Sequence, residues 1–251
     1  MNEVSNFCKS RLDELAKKEA LLQAKIKNGN TAEIQIVLAQ LNIEKAAVNL
    51  SLNEAYLAAK SQRNETLLSD ARLAMQNALL GLEGIIGKQV DAAFDEYADR
   101  LTALTFMSPK TRYDLVRKIG LTMQRLNDSS GKDSRYVWAL LDLEARCAAI
   151  TKNIVDLKQA MQVMKQHNAD YEVTNLHFTL IEQVFDNIAN QYWKKYELTT
   201  KNPSDIMLAV NFLQVQRRLF VLLNRPDEAN TLKRKIDAWL AKADSDKRNG
   251  K

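Results

Sequence analysis

Two histidines, two cysteines and several carboxylate pairs are the groups from which this chain could build a reactive site. His177 lies in a stretch of helical periodicity, and no Glu or Asp stands at the spacing of the Glu-x-x-His pattern used by di-iron helical bundles. His167 falls at an expected helix end, where an imidazole can meet free carbonyls. Cys8 and Cys147 lack the paired spacing of a zinc or redox motif. Cys8 shares an apolar helical row with Val4, Leu12 and Leu15, the setting of a small buried hydrophobe. Asp95/Asp99 and Glu182/Asp186 each place two carboxylates one helical turn apart. On polar helix faces that geometry gives solvated charge, and nothing distinguishes a general acid among them. No catalytic residue, metal ligand or cofactor is expected from these groups.

The run Gly81-Leu82-Glu83-Gly84-Ile85-Ile86-Gly87-Lys88 is the most unusual in the chain. A phosphate loop needs glycine at 82 and a hydroxyl after the lysine, where Leu82 and Gln89 stand, and a preceding strand, which is not predicted. Three glycines three residues apart instead form a shallow groove along one side of a helix. They allow another backbone to approach, or the helix to bend, at a cost of about 1 kcal/mol each relative to alanine. The surrounding stretch from Asn77 to Phe94 is also patterned as an amphipathic, membrane-active segment.

Tyr192-Trp193-Lys194-Lys195-Tyr196 mixes rings with positive charge, a combination able to stack bases and hold phosphate. The simpler expectation is that the rings are buried in a last helical turn while the lysines face water and complement the helix dipole. Lys194, Lys195, Arg217, Arg218, Arg225, Lys233, Arg234, Lys235 and Lys242 are the candidate anion-binding residues. From Lys194 to Lys251 there are 13 Lys/Arg and 7 Asp/Glu, a balance of +6 within a chain of net charge +5. Such asymmetry marks the C-terminal quarter as the place for an anionic partner, nucleic acid or an acidic membrane surface.

The elements that position these groups are read as helices. Seven Gly and three Pro in 251 residues are few, and no alternating β-branched run is bounded by turn residues. About eight helices are expected: 3–27; a second from its cap Thr31, with 60–65 either a loop or an exposed turn; 65–105; a fourth opened by Ser108-Pro109 and ending near 127; 134–166; a sixth after 167–170 with the row Val173, Leu176, Leu180, Val184, Ile188; and the last pair, 202 to about 243, divided at Asn224. The second should be central, because Ile34, Val37, Leu41, Val48, Leu52 and Ile36, Ile43, Ala47, Leu50, Leu57 cover two of its sides. The segment from Asn127 to Asp133 is the most loop-like and marks a boundary between an N-terminal unit, 1–127, and a C-terminal unit, 133–243. Residues 244–251 are expected to form a disordered tail. The fold class is all-α, an antiparallel multi-helix bundle or helical array.

Asn202-Pro203-Ser204-Asp205 starts the last helical pair, with Asn202 as cap and Pro203 in the first turn. Its first helix carries two apolar rows and should lie between neighbours. Its second has the single stripe Ala229, Leu232, Ile236, Trp239 and should be a packed cap. Leu213, Phe220, the turn Asn224-Arg225-Pro226-Asp227-Glu228 and Ala229 resemble one tetratricopeptide repeat hairpin over about 40 residues. The chain departs from that repeat at Arg217 and Lys233, and no closing proline follows. The resemblance implies protein binding.

Apolar and charged fractions of 46% and 27% are ordinary for a soluble globular protein. The N-terminus has no apolar signal core and no apolar run is long enough to span a bilayer, so a cytoplasmic protein with no transmembrane segment is expected. Rigid helices, short loops and no reactive cluster point to a non-enzymatic scaffold or adaptor binding a protein partner. Binding to an anionic surface through the basic C-terminal quarter is the alternative.

Overall fold

The computed structural model describes residues 2–26, 29, 31–131, 136–166 and 168–248, the side chains of residues 2, 94, 95 and 97 apart. Lys27, Asn28 and Asn30 at the expected first stop, Lys132 and Asp133 of the expected boundary, Ser134 at the expected helix start beyond it, His167, and the last three residues lie outside them. Among the described residues there are ten α-helices and no strand. They are α1 (Asn2–Ile26), α2 (Ala32–Lys60), α3 (Glu65–Ile86), α4 (Phe94–Leu101), α5 (Pro109–Ser130), α6 (Val137–Asn153), α7 (Leu157–Gln166), α8 (Tyr171–Lys195), α9 (Pro203–Leu222) and α10 (Pro226–Arg248). A 3₁₀ turn, Thr102–Leu104, follows α4, and a π-helical turn, Tyr196–Thr200, follows α8.

The count exceeds eight because two expected helices are each broken. The helix expected over 65–105 stops at Ile86, where Gly87 takes φ +84, and resumes at Phe94. The helix expected over 134–166 is interrupted between Asn153 and Leu157. There Ile154 and Val155 are buried, and Asp156 Oδ1 accepts the Gln159 N–H at 3.0 Å to open α7. Three other starts use the expected caps. Thr31, Ser108 and Asn202 accept N–H groups of the first turns, with Pro109 and Pro203 behind the last two. Asn64 caps α3, and Ser61, at φ 53, closes α2.

The chain divides into two compact units, residues 1–88 with 97–150, and residues 89–96 with 151–251. This division falls inside α6 rather than at 127–133. The expected boundary residues Asn127–Ser130 are instead the last turn of α5, whose Leu126 and Ser130 are buried, and Gly131 at φ +79 ends that helix.

In the first unit α2 is central: it packs against α1, α3, α5 and the 3₁₀ turn. Ala46 and Leu50 on it are fully buried. Arg146 of α6 forms a two-bond pair with Glu83 of α3 at 2.6 and 2.9 Å. In the second unit α9 packs against both α8 and α10, as its two apolar rows require. Phe185 and Phe212 meet edge to face at 5.2 Å across the α8–α9 contact. Trp239 of α10 is 9% exposed, so the last helix is a packed element. It also runs on to Arg248, past the expected start of the tail, with Asp246 buried near its end.

Candidate functional site

The nine candidate anion-binding residues of the C-terminal quarter do not form one free cationic surface. Lys195 pairs with Asp205 at 2.8 Å, and both side chains are largely buried. Arg225 contacts Glu182 at 2.5 Å and Glu228 at 2.8 Å, with its guanidinium over the Phe220 ring. Lys235 pairs with Asp186 at 2.9 Å, and Lys242 with Asp246 at 2.7 Å. Arg218 donates to the Asp91 carbonyl at 3.2 Å, and the Arg217 Nε is buried with no hydrogen-bond partner among the described residues. Lys194, Lys233 and Arg234 are exposed and form no ion pair among the described residues. Glu182 and Asp186, read from sequence as solvated charge, are thus partners for α9–α10 cations. They precede Lys194 in the chain, so a local charge balance cannot register them.

The rings of Tyr192–Tyr196 are buried or packed together. Tyr192 and Tyr196 are each 2% exposed. Trp193 stacks on Trp239 with centroids 4.7 Å apart and planes 7° from parallel. Base stacking needs an open ring face, and these rings already pack on protein. The Tyr196 hydroxyl donates to Asp246 at 2.9 Å. Burial, and then that bond, push the Tyr196 phenol up. Lys242, followed by Tyr196, holds the Asp246 carboxyl below the ordinary range. This bond ties the last turn of α10 to the end of α8, and explains why residues read as a tail are helical.

The glycine run ends α3 in an open cleft of about 370 Å³. Thr31, the cap of α2, Gln35 of α2, Leu80, Gly81, Gly84 and Ile85 of α3, and Arg100 of α4 line it. At Gly81 a Cβ would stand 3.3 Å from Gln35 Oε1, so this glycine does permit close approach of α2 and α3. At Gly84 a Cβ would meet nothing within 4 Å. At Gly87 it would stand 3.0 Å from an Arg100 guanidinium nitrogen.

In the second unit, the strap of residues 89–96 is gripped by its carbonyls. Asn153 donates to Gln89 O, Lys152 to Val90 O and Ala92 O, and Arg218 to Asp91 O, at 2.8–3.2 Å. Four successive carbonyls are therefore taken by side chains of α6 and α9. Burial, and then repulsion from Arg218, lower the Lys152 ammonium to about 8, against the pull of Asp91 and Glu96. No local sequence signal marked Lys152, because its partners lie about 60 residues away.

His177 is 5% exposed and its Nε2 lies 2.9 Å from Thr151 O, a buried structural contact. Cys8 and Cys147 are free and buried, and burial pushes the Cys147 thiol well above its ordinary value. Among the described residues no group of three or more His, Cys, Asp or Glu is placed to hold a metal ion. No helix among them is long and apolar enough to cross a membrane.

The chain belongs to the TP0443 family, whose model matches residues 1–247. No curated protein and no solved structure matches it.

Proposed function

We propose that the protein is a non-enzymatic helical adaptor that binds another protein through the exposed side of α9. The observation that carries this reading is the distribution of apolar residues on that helix. Two of its faces pack under α8 and α10. On the remaining side Met207, Leu208, Val221 and Leu222 are 42–59% exposed. Single exposed hydrophobes are ordinary, but here two apolar pairs, about 21 Å apart by helical rise, share one side of the helix and give a partner segment two points of grip. The polar middle of the same side, Gln214 and Arg218, would set register. The resemblance of residues 202–243 to a tetratricopeptide hairpin agrees with a binding role for this pair.

A photo-reactive amino acid at position 221 and another at exposed Thr66 on α3 provide the first test. A partner captured at 221 and not at 66 is then purified and titrated. Met207→Asp and Val221→Asp should each weaken binding at least tenfold without lowering the unfolding midpoint. Equal capture at both positions, or unchanged affinity in both variants, rejects the α9 docking side.

The second reading is an anionic partner, favoured by exposed Lys194, Lys233 and Arg234. It is tested by titrating single-stranded and duplex nucleic acid and acidic vesicles at about 50 and 200 mM salt. About six phosphate contacts would weaken binding roughly 10³-fold across that range. Lys233→Glu with Arg234→Glu is the suitable double variant, because changing Lys235 would also break its pair with Asp186. Tight, salt-sensitive binding lost in that variant would displace the adaptor reading.

A further inference from the structure

Gly84 stands in the last turn of α3, two residues before its end at Ile86, and has no packing reason. Its φ is not positive, and a Cβ there would meet nothing within 4 Å. A glycine lowers helix stability relative to alanine, by about 1 kcal/mol in an interior and by less in a last turn. Gly81 offsets this through its approach to Gln35, whereas at Gly84 the missing side chain leaves only open space in the cleft. Leu80 and Ile85 supply the apolar lining. Leu80 is itself 59% exposed, so its side chain is not buried by the fold.

Charge in the cleft is one-sided. Arg100 is the only charged residue among the described residues lining it. The guanidinium lies across Gly87, is exposed, and forms no ion pair or hydrogen bond among the described residues. A guanidinium presents paired donors that match the two oxygens of a carboxylate, and it stays charged at any physiological pH. An open apolar floor beside one unpaired guanidinium suits a ligand with a short hydrocarbon body and one carboxylate. The volume lies at the lower end of the range of small-molecule sites, roughly 300–1,000 Å³.

We propose that the cleft between α2, α3 and Arg100 binds a small monocarboxylate with an apolar body. The carboxylate pairs with Arg100, and the hydrocarbon lies on Leu80, Gly84 and Ile85. This site is in the first unit and is independent of the adaptor reading, which concerns α9.

Calorimetric titration with sodium octanoate tests it, with 1-octanol as the uncharged probe of equal chain length. Three proteins are compared: the native chain, Arg100→Gln and Gly84→Leu. The leucine enters open space and replaces a glycine of a last helical turn, so Gly84→Leu should unfold no lower than the native chain while filling the cleft. Expected are octanoate binding to the native chain, at least tenfold weaker binding of 1-octanol, at least tenfold loss in Arg100→Gln, and loss in Gly84→Leu. Absence of octanoate binding at about millimolar concentration overturns the site. Equal binding of the two probes, or undiminished binding in Arg100→Gln, overturns the carboxylate assignment. Unchanged binding in a folded Gly84→Leu places the ligand elsewhere and also overturns it.

Discussion

Replacing Trp239 by alanine removes the ring that holds α10 to the second unit. The ring is 9% exposed, stacks on Trp193 at 4.7 Å, and has the Lys235 ammonium 5.0 Å from its centroid. Truncating a buried tryptophan costs about 3–5 kcal/mol, the sum of lost transfer energy and the cavity left behind. Of this, the stacked pair contributes about 0.5–1.5 kcal/mol beyond area burial. A double-mutant cycle with Trp193→Ala should return that smaller quantity as its coupling energy. Urea unfolding followed by far-UV circular dichroism is the appropriate assay, because either substitution alters the fluorescence. At a slope of about 2 kcal/mol/M the midpoint should fall by roughly 1.5–2.5 M. If two transitions appear, the shift belongs to the one in which the second unit, with α10, unfolds. An unchanged midpoint in Trp239→Ala would refute the packed-cap account, and zero coupling would refute the energetic part assigned to the stack.

Lys152 gives a pH dependence of definite sign. Its folded value is about 8 against an ordinary 10.5, so between these the unfolded chain holds a proton that the folded chain does not. Stability should therefore rise with pH across that window, by about 3 kcal/mol at most. The native-minus-Lys152→Met difference in unfolding free energy isolates it, and a flat difference from pH 8 to 10.5 rules it out. Asp246, held low by Lys242 and Tyr196, contributes stability above the ordinary carboxylate range that is lost as pH falls through its depressed value. Asp246→Asn should reduce hydrogen-exchange protection in the last turn of α10, and equal protection would contradict the anchoring role. Cys8 and Cys147 should react slowly with a thiol reagent in the native chain and fully in denaturant, without prior reductant. Rapid native labelling, or two thiols only after reduction, would overturn their assignment as buried free cysteines.

Helix starts were legible because a cap is a local device. Thr31, Asn202-Pro203 and Ser108-Pro109 satisfy amides within three residues of themselves, and each opens a helix in the structure. The central place of α2 and the position of α9 between two neighbours were also legible. An apolar row on two sides of a helix can be buried only by partners on two sides. The breaks at Gly87 and at Ile154–Asp156 were harder to read. Their flanking residues keep helical periodicity, and the interruption depends on which carbonyls and side chains find partners elsewhere in the fold.

The candidate site divides along the same physical line. Composition and spacing alone determined an all-helical chain and a packed stripe ending at Trp239, and favoured burial of Tyr192 and Tyr196 over base stacking. These follow from side-chain type and helical period. Only the tertiary structure decided which charges remain available. Lys235 meets Asp186 across 49 positions and Tyr196 meets Asp246 across 50, so neither pairing leaves a local pattern. It also decided that Gly81 is a contact glycine while Gly84 lines open space. The two have the same residue type and neighbouring turns of one helix, and differ only in whether another helix passes over them.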